Sequence, residues 1–447
     1  MNQKKYELEN VTEPNLMREL FPYHDVPKMT FEDATVPLDT PQDIWITDTT
    51  LRDGQQSRPP YTVEQVVQIY EFLHKLSGPY GVIKQTEFFL YTKKDKEAIE
   101  KCLEKGYRYP EITGWIRAVK SDFQLVKDMG LKETGILTSA SDYHIFLKLK
   151  SNRKKVMEGY LDVVKAALDI GVIPRCHLED ITRADFYGFA IPFVQELMKL
   201  SDEYKTPIKV RACDTMGYGV PYANATLPRS IPKIIHGLIH DGGVPSEQLE
   251  WHGHNDFHKV LINATTAWLY GCSAVNGTLL GFGERTGNSP VEGLIIDYIS
   301  IKGNKGINTT VITEIADYFT KKLGVTIPSN FPFVGSDFNI TRAGIHADGI
   351  LKNEEIYNIF NTSKILKRDI GIAITDKSGA AGIAHWINAH LDLKGMDLID
   401  KNNPGILLMK KAIDKEYESQ RTTSISNNEM TAFGKKFLPE YFEKRTL

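Results

Sequence analysis

The stretch Asp48-Thr49-Thr50-Leu51-Arg52-Asp53-Gly54-Gln55-Gln56-Ser57 decides how the rest of the chain is read. It follows Ile44-Trp45-Ile46, a run apolar enough for a short buried strand, and Gly54 permits a sharp backbone turn after it. Arg52 and Asp53 then stand at the C-terminal end of that strand. A carboxylate beside a guanidinium on the rim of a sheet can hold a metal and an anionic substrate together. Alone, Arg-Asp-Gly reads more readily as a loop turn with a surface ion pair. The rest of the chain decides between the two.

From Ile44 a strand-then-helix rhythm begins. Strands are predicted at 44–48, 81–88, 111–116, 133–138, 172–178, 207–213, 249–254 and 273–279. Helices are predicted at 62–76, 93–105, 120–129, 152–170, 184–200, 224–240, 258–270 and 289–302. The first helix opens on Thr62 with Gln65 three residues later, and Gly130, Gly171 and Gly271 close later ones. Eight strand-helix units fit a closed (β/α)8 TIM barrel better than an open doubly wound sheet. No GxGxxG follows an early strand, and Gly281-Phe282-Gly283 comes too late for a dinucleotide fold. The expected organisation is α/β: an N-terminal arm over 1–42, a barrel over 43–304, and a mostly helical region over 305–447. Within the last region helices are expected at 311–323, 353–360, 377–392 and 404–418, with the final 25 residues at the surface.

The composition agrees with a soluble globular protein. Of 447 residues, 41% are hydrophobic and 25% charged, and the formal net charge is -3. That balance gives no sign of a nucleic-acid binder. Cys102, Cys176, Cys213 and Cys272 are scattered, form no CxxC, and read as buried thiols. There is no apolar leader and no 18-residue apolar run, so no membrane partner is expected and the expected location is cytoplasmic.

The strongest chemical signal is Trp251-His252-Gly253-His254-Asn255 at the end of the seventh strand. Side chains two apart in a strand share a face, so His252 and His254 form a natural divalent-metal pair. The first, seventh and eighth strands are neighbours in a closed barrel. Asp53 is therefore a third ligand, with an oxygen from the loop Gly283-Glu284-Arg285-Thr286-Gly287-Asn288 as a fourth. That N/O mixture suits Mg2+, Mn2+, Co2+ or Zn2+. Other strand ends are polar as well: Gln85-Thr86-Glu87, Arg117, Thr138-Ser139 with Asp142 and His144, His177-Leu178-Glu179-Asp180 with Arg183, and Asp214-Thr215. Arg117 and Arg183 are candidate carboxylate clamps, and Thr215 is a candidate hydrogen-bond donor. So many polar rim groups imply a small acidic substrate.

These stretches resemble the acyl-CoA-using barrel family that contains 2-isopropylmalate synthase, homocitrate synthase and the Re-type citrate synthases. The resemblance rests on Asp48 to Gln56, Glu179-Asp180-x-x-Arg183, Asp214-Thr215-Met216-Gly217, His252-Gly253-His254-Asn255 and Gly283 to Asn288. Farther on, Ala343-Gly344-Ile345-His346-Ala347-Asp348-Gly349 and Tyr357 resemble the family's C-terminal catalytic segment. The resemblance implies Asp53, His252, His254 and Asn288 as metal ligands, Mn2+ being the expected ion, and Glu284 as a carboxylate beside the metal. It implies that Arg52 polarises a keto group and that Gln56, His144, Glu179, Arg183 and Thr215 surround the 2-oxo acid. It further implies acid/base work by His346 linked through Tyr357 or Glu179, acetyl-CoA as co-substrate, and a homodimer whose C-terminal region crosses to the partner barrel. Gln85, Arg117, Tyr143, His144 and His177 make the expected pocket polar, which favours oxaloacetate over 2-oxoglutarate. Isopropylmalate or citramalate synthesis, a CoA-independent lyase and a non-catalytic metal- or CoA-binding protein are the alternatives.

Overall fold

The computed structural model describes residues 4–443. The chain divides into two compact units, Met1–Asn308 and Thr309–Leu447.

The first unit is built on eight parallel strands: β1 (Trp45–Asp48), β2 (Ile83–Phe89), β3 (Glu111–Ile116), β4 (Glu133–Ser139), β5 (Ile173–Glu179), β6 (Lys209–Asp214), β7 (Leu249–Gly253) and β8 (Ala274–Gly277). They close in sequence order, with Trp45 beside Ala274 and Asp48 beside Gly277 completing the barrel. The helices between them are α1 (Val63–Ser77), α2 (Lys93–Leu103), α3 (Phe123–Asp128), α4 (Arg153–Asp169), α5 (Ile191–Tyr204), α6 (Ile231–His240), α7 (Val260–Leu269) and α8 (Val291–Lys302). The expected capping box opens α1. Gln65 N donates to Thr62 Oγ1 at 3.3 Å, and Thr62 N donates to Gln65 Oε1 at 2.9 Å. Helix α6 starts at Ile231 rather than near 224, because Ser230 caps it and Pro232 sits in its first turn.

The alternation of the strands sorts two kinds of residue. Outward positions such as Ile46, Ile136, Leu178, Val210, Ala212 and Trp251 are apolar and completely buried. Inward positions are largely charged. Gln85 and Glu87 of β2, Glu133 of β4, Arg175 and His177 of β5, Arg211 of β6 and Glu250 of β7 are all buried. Arg175 donates to Glu133 Oε1 at 2.6 Å and to Glu87 Oε1 at 2.7 Å, and Arg211 donates to Glu250 Oε1 at 3.0 Å. Gly135 makes room for this lattice, since a Cβ there would lie 2.6 Å from His177 Nε2. Gln85 and His177, expected on the rim, are therefore members of the barrel interior. Gln85 bonds Glu133 at 2.9 Å and His177 lies 3.6 Å from Glu87.

The N-terminal segment runs along its own barrel unit. Glu9 O accepts from Arg153 Nη1 at 2.9 Å, Leu16 O accepts from the Tyr143 hydroxyl at 2.7 Å, and Asp39 N donates to Leu269 O at 3.0 Å. Leu20 and Phe21 are buried.

The second unit contains α9 (Val311–Lys321), β9 (Ile340–Thr341), α10 (Gly344–Lys352), α11 (Thr362–Leu366), β10 (Gly371–Ile372), α12 (Gly379–His390), α13 (Pro404–Glu418), α14 (Asn427–Phe437) and α15 (Pro439–Glu443). Its core is aliphatic, with Ile383, Ile387, Ile406, Met409, Ile413, Met430 and Leu438 packed together. The helix expected at 353–360 is a single turn, Glu354–Ile356; the neighbouring helix is α10. The last residues are not simply surface. A Ser426–Glu429 capping box opens α14, which buries Met430. Among the described residues no helix is long and apolar enough to cross a membrane.

Candidate active site

The end of β1 leads into one π-helical turn, Thr50–Gly54, that brings Arg52 and Asp53 inward. Two strands along the rim, past β8, β7 ends in His252 and Gly253, and His254 bridges to Asn288. The loop that carries Asn288 needs Gly287 at φ 90°, where a Cβ would meet Gly281 O at 2.1 Å. Donor atoms of Asp53, His252 and His254 lie within 4.8 Å of one another. Asp53 Oδ2 is 3.5 Å from His252 Nε2, 3.8 Å from His254 Nε2, and accepts from Asn288 Nδ2 at 2.8 Å. The two imidazole Nε2 atoms are 3.3 Å apart.

The charge states suit a cation. Burial opposes ionisation of Asp53, but Arg52 and the two imidazoles outweigh it and bring the carboxyl down to about 2. Burial pushes His252 down to about 3 against the pull of Asp53, so its ring is neutral. Burial likewise lowers His254. One carboxylate, two neutral imidazoles and a carboxamide form an N/O donor set for a divalent ion. Asn288 Oδ1 is buried without a hydrogen-bond partner, a defect that an adjacent cation would remove. The residues therefore fit a divalent metal.

Arg52 adjoins this group, with Nη1 3.5 Å from Asp53 Oδ1. Its Nε donates to Glu87 Oε2 at 2.7 Å. Burial opposes ionisation of Glu87, yet Arg211, Arg52 and Arg175 hold its carboxyl well below the usual range. Glu87 is thus a fixed anion that aims Arg52.

A second cluster occupies the ends of β4, β5 and β6. Glu179 accepts from Lys148 Nζ at 3.1 Å and lies 3.0 Å from His144 Nδ1. Burial opposes its ionisation, but His144, Ser139 and Lys148 bring it to about 2. Arg183 Nε donates to Asp180 Oδ1 at 3.0 Å, and its guanidinium lies over the Tyr143 ring. Thr215 Oγ1 accepts from Asp180 N at 2.8 Å, which leaves its own hydroxyl hydrogen for another acceptor. Cys213 of β6 pairs in register with Glu179 on one side and with His252 on the other, which places this cluster beside the first.

Other expected residues stand elsewhere. Arg117 chelates Asp122 at 2.9 and 3.1 Å on an exposed loop. Gln56 and Glu284 are exposed. His346 and Tyr357 belong to the second unit, their ring centroids 4.4 Å apart. Sequence reasoning passed over three participants: Glu87 as the anchor of Arg52, Lys148 as the cation on Glu179, and Asn276, which accepts from His252 Nδ1 at 2.8 Å. Period-two spacing with His252 on β7 does not reach across to β8, so nothing local flagged Asn276.

Residues 43–319 match the family model described as HMGL-like. Over 439 residues the chain is 60% identical to a citrate (Re)-synthase of Syntrophus aciditrophicus, covering 98% of this chain and 70% of that protein. Over 440 residues it is 57% identical to a citrate (Re)-synthase of Clostridium kluyveri, covering 98% of this chain and 97% of that protein. Among solved structures, an HMG-CoA lyase from Bacillus subtilis superposes with a TM-score of 0.51 at 17% identity, covering 65% of this chain and 96% of that one. That likeness concerns the fold.

Proposed function

This chain belongs to the HMGL-like family, and from that premise we propose its reaction. It condenses acetyl-CoA with oxaloacetate and hydrolyses the thioester to give citrate and CoA, the citrate (Re)-synthase reaction. The observation that carries this reading is identity of 60% and 57%, across 98% of the chain, to two proteins of that name. The family depends on a divalent metal, and acetyl-CoA is the co-substrate.

In this reading Asp53, His252, His254 and Asn288 hold the metal, with Mn2+ the proposed ion. A divalent metal held here would supply Lewis-acid polarisation of the 2-oxo acid. Arg52, fixed by Glu87, donates to the keto oxygen and stabilises the negative charge that develops there. Thr215 and Arg183 orient the acid, and the His144–Lys148–Glu179 group faces its distal carboxylate. Glu179, ionised down to about 2, acts through charge and orientation rather than as a proton donor. His346 takes the proton from the acetyl methyl group, with Tyr357 beside it. The methyl carbon then bonds to the keto carbon as the keto π bond opens onto oxygen, that oxygen takes up a proton, and water breaks the thioester C–S bond to give the carboxylic acid and the CoA thiol.

The same proposal includes residues 1–42 as an arm, 43–304 as the catalytic barrel and 305–447 as the region that supplies His346. It also includes a homodimer, a cytoplasmic setting and a place in the tricarboxylic acid cycle.

The test is CoA release by Mn2+-reconstituted protein given acetyl-CoA with oxaloacetate, 2-oxoglutarate, 3-methyl-2-oxobutanoate or pyruvate. Oxaloacetate is expected to be preferred, and His252→Ala to abolish both metal retention and turnover. Preference for another 2-oxo acid would overturn the substrate. Undiminished metal-free turnover by His252→Ala would overturn the site.

A further inference from the structure

The hydrogen-bond directions behind His252 run one way. At their origin stands Glu250, an acceptor only, whose Oε1 receives Arg211 Nη2 at 3.0 Å. The Thr47 hydroxyl also donates to Glu250 Oε1. Having given its single hydrogen away, Thr47 Oγ1 can only accept from Asn276. Asn276 Nδ2 donates to it at 2.9 Å and to Thr47 O at 3.3 Å. Both acceptors lie on the amide's nitrogen side, so Asn276 cannot turn over without setting its carbonyl oxygen against them. Its Oδ1 must therefore point the other way, where it meets His252 Nδ1 at 2.8 Å. A carbonyl oxygen can only accept, so the hydrogen of His252 resides on Nδ1 and the Nε2 lone pair faces Asp53 and His254.

We propose that Asn276 is a positioning residue that fixes His252 in the Nδ1–H tautomer, and so pre-aims Nε2 at the divalent-metal site. Thr47 and Glu250 hold the amide in the required sense. All four residues are buried, with Asn276 completely so, and no water is needed to complete the chain of donors. A neutral amide performs the task without adding a further negative charge to the barrel interior. Arg211 also contacts Glu87, at 3.2 Å, so the same lattice orients both the metal ligand and Arg52. This inference rests on the metal-site reading above but not on the identity of the 2-oxo acid.

The experiment uses the full chain freed of metal with chelator, with Mn2+ affinity read by electron paramagnetic resonance and histidine tautomers read by 15N chemical shifts. No substrate is present. Wild type is expected to bind Mn2+ and to show His252 Nδ1 as the protonated nitrogen. Asn276→Leu, near-isosteric but without an acceptor, is expected to lose about 10- to 100-fold in Mn2+ affinity and to mix the two tautomers. Asn276→Asp still accepts from Nδ1 but sets its second carboxylate oxygen against Thr47 O and Oγ1, so it is expected to keep the Nδ1–H tautomer and to bind Mn2+ more tightly than the Leu variant and less tightly than wild type. Unchanged affinity and tautomer in a folded Asn276→Leu chain would overturn the proposal, as would an Asp variant as weak as the Leu variant. Should the Leu variant not fold, Thr47→Val carries the test. It is expected to weaken Mn2+ by about 3- to 10-fold, and no change would overturn the proposal. Wild type that binds no Mn2+ would bring down the metal-site reading itself. Wild type that binds Mn2+ but turns over another 2-oxo acid would bring down only the substrate.

Discussion

The interior of the barrel and the interior of the helical unit are both buried, and they are built on opposite principles. In the helical unit, Ile387, Ile406, Met409 and Met430 face one another, and packing holds them. Inside the barrel, Glu87, Glu133 and Glu250 face Arg175, Arg211 and Lys209, and charge pairing holds them. The sheet permits this because it has two faces. Its outward residues, Ile46, Leu178, Val210 and Trp251 among them, bury apolar surface against the helices. The inward face is thereby released from supplying hydrophobic stability. It can instead present a rigid, low-dielectric field to the mouth, where Arg52 and Asp53 stand. A helix bundle has no such spare face.

The contrast breaks most readily at Glu87. Glu87→Ala removes the anion shared by Arg52, Arg175 and Arg211, leaving buried guanidinium groups short of a partner. Loss of one member of a buried ionic cluster costs about 3–5 kcal/mol. Equilibrium urea unfolding followed by tryptophan fluorescence is expected to show a loss of that size, together with loss of CoA release. A change below about 1 kcal/mol would mean that the lattice is ornamental and the outer face alone holds the barrel.

The two regions also differed in how far they could be read from the chain. The barrel was legible because each unit carries its own signals, such as Thr62 with Gln65 and the glycines that close its helices. Asp53, His252 and His254 were legible because neighbouring strands of a closed barrel bring three separate motifs together. Glu87 was not singled out, since its partners lie on β5 and β6 and each charge taken alone resembles a rim group. Gln85 and His177 were placed on the rim for the same reason. In the helical unit the four-residue signature Ser426-Asn427-Asn428-Glu429 was sufficient to announce α14 and went unused, and in the barrel unit so did Ser230 with Pro232 at the start of α6. Helix α10 carries no comparable cap, and no side-chain hydrogen bond closes its start.

The apolar core gives the converse test. Ile406→Ala in α13 deletes buried carbon without touching a charge, at an expected cost of about 3 kcal/mol. Hydrogen exchange is expected to speed up in α12, α13 and α14. Ile406→Val should cost only about 1 kcal/mol, because packing responds to volume. The barrel should respond differently. Replacing Arg211 by Lys keeps the charge but loses the forked geometry that spans Glu87 and Glu250, and is expected to cost more than the Ile406→Val change.

Glu292 sharpens the comparison inside the first unit, because it is a buried carboxyl without a cation. It sits in α8, accepts from Leu280 N at 3.0 Å through Oε2, and leaves Oε1 without a partner. Burial raises its pKa from 4.5 to about 7, the opposite of what the arginines do to Glu87. The sign of the effect on stability follows from proton binding. Between pH 4.5 and about 7 the native chain keeps a proton that the unfolded chain releases. Stability from this group is therefore complete below pH 4.5, falls as pH rises, and is fully lost above about 7. The shift caps the effect at about 3 kcal/mol, and hydration of the opened site on ionisation brings the expected value to about 1–2 kcal/mol. Glu292→Gln cannot ionise. Relative to wild type it should gain about 1–2 kcal/mol at pH 8 over its value at pH 5, measured as the difference between paired urea curves. A variant whose stability tracks wild type at both pH values would show that Glu292 is ionised throughout. In that case an unpaired buried carboxylate is tolerated here, and pairing would no longer distinguish the barrel lattice from the rest of the unit.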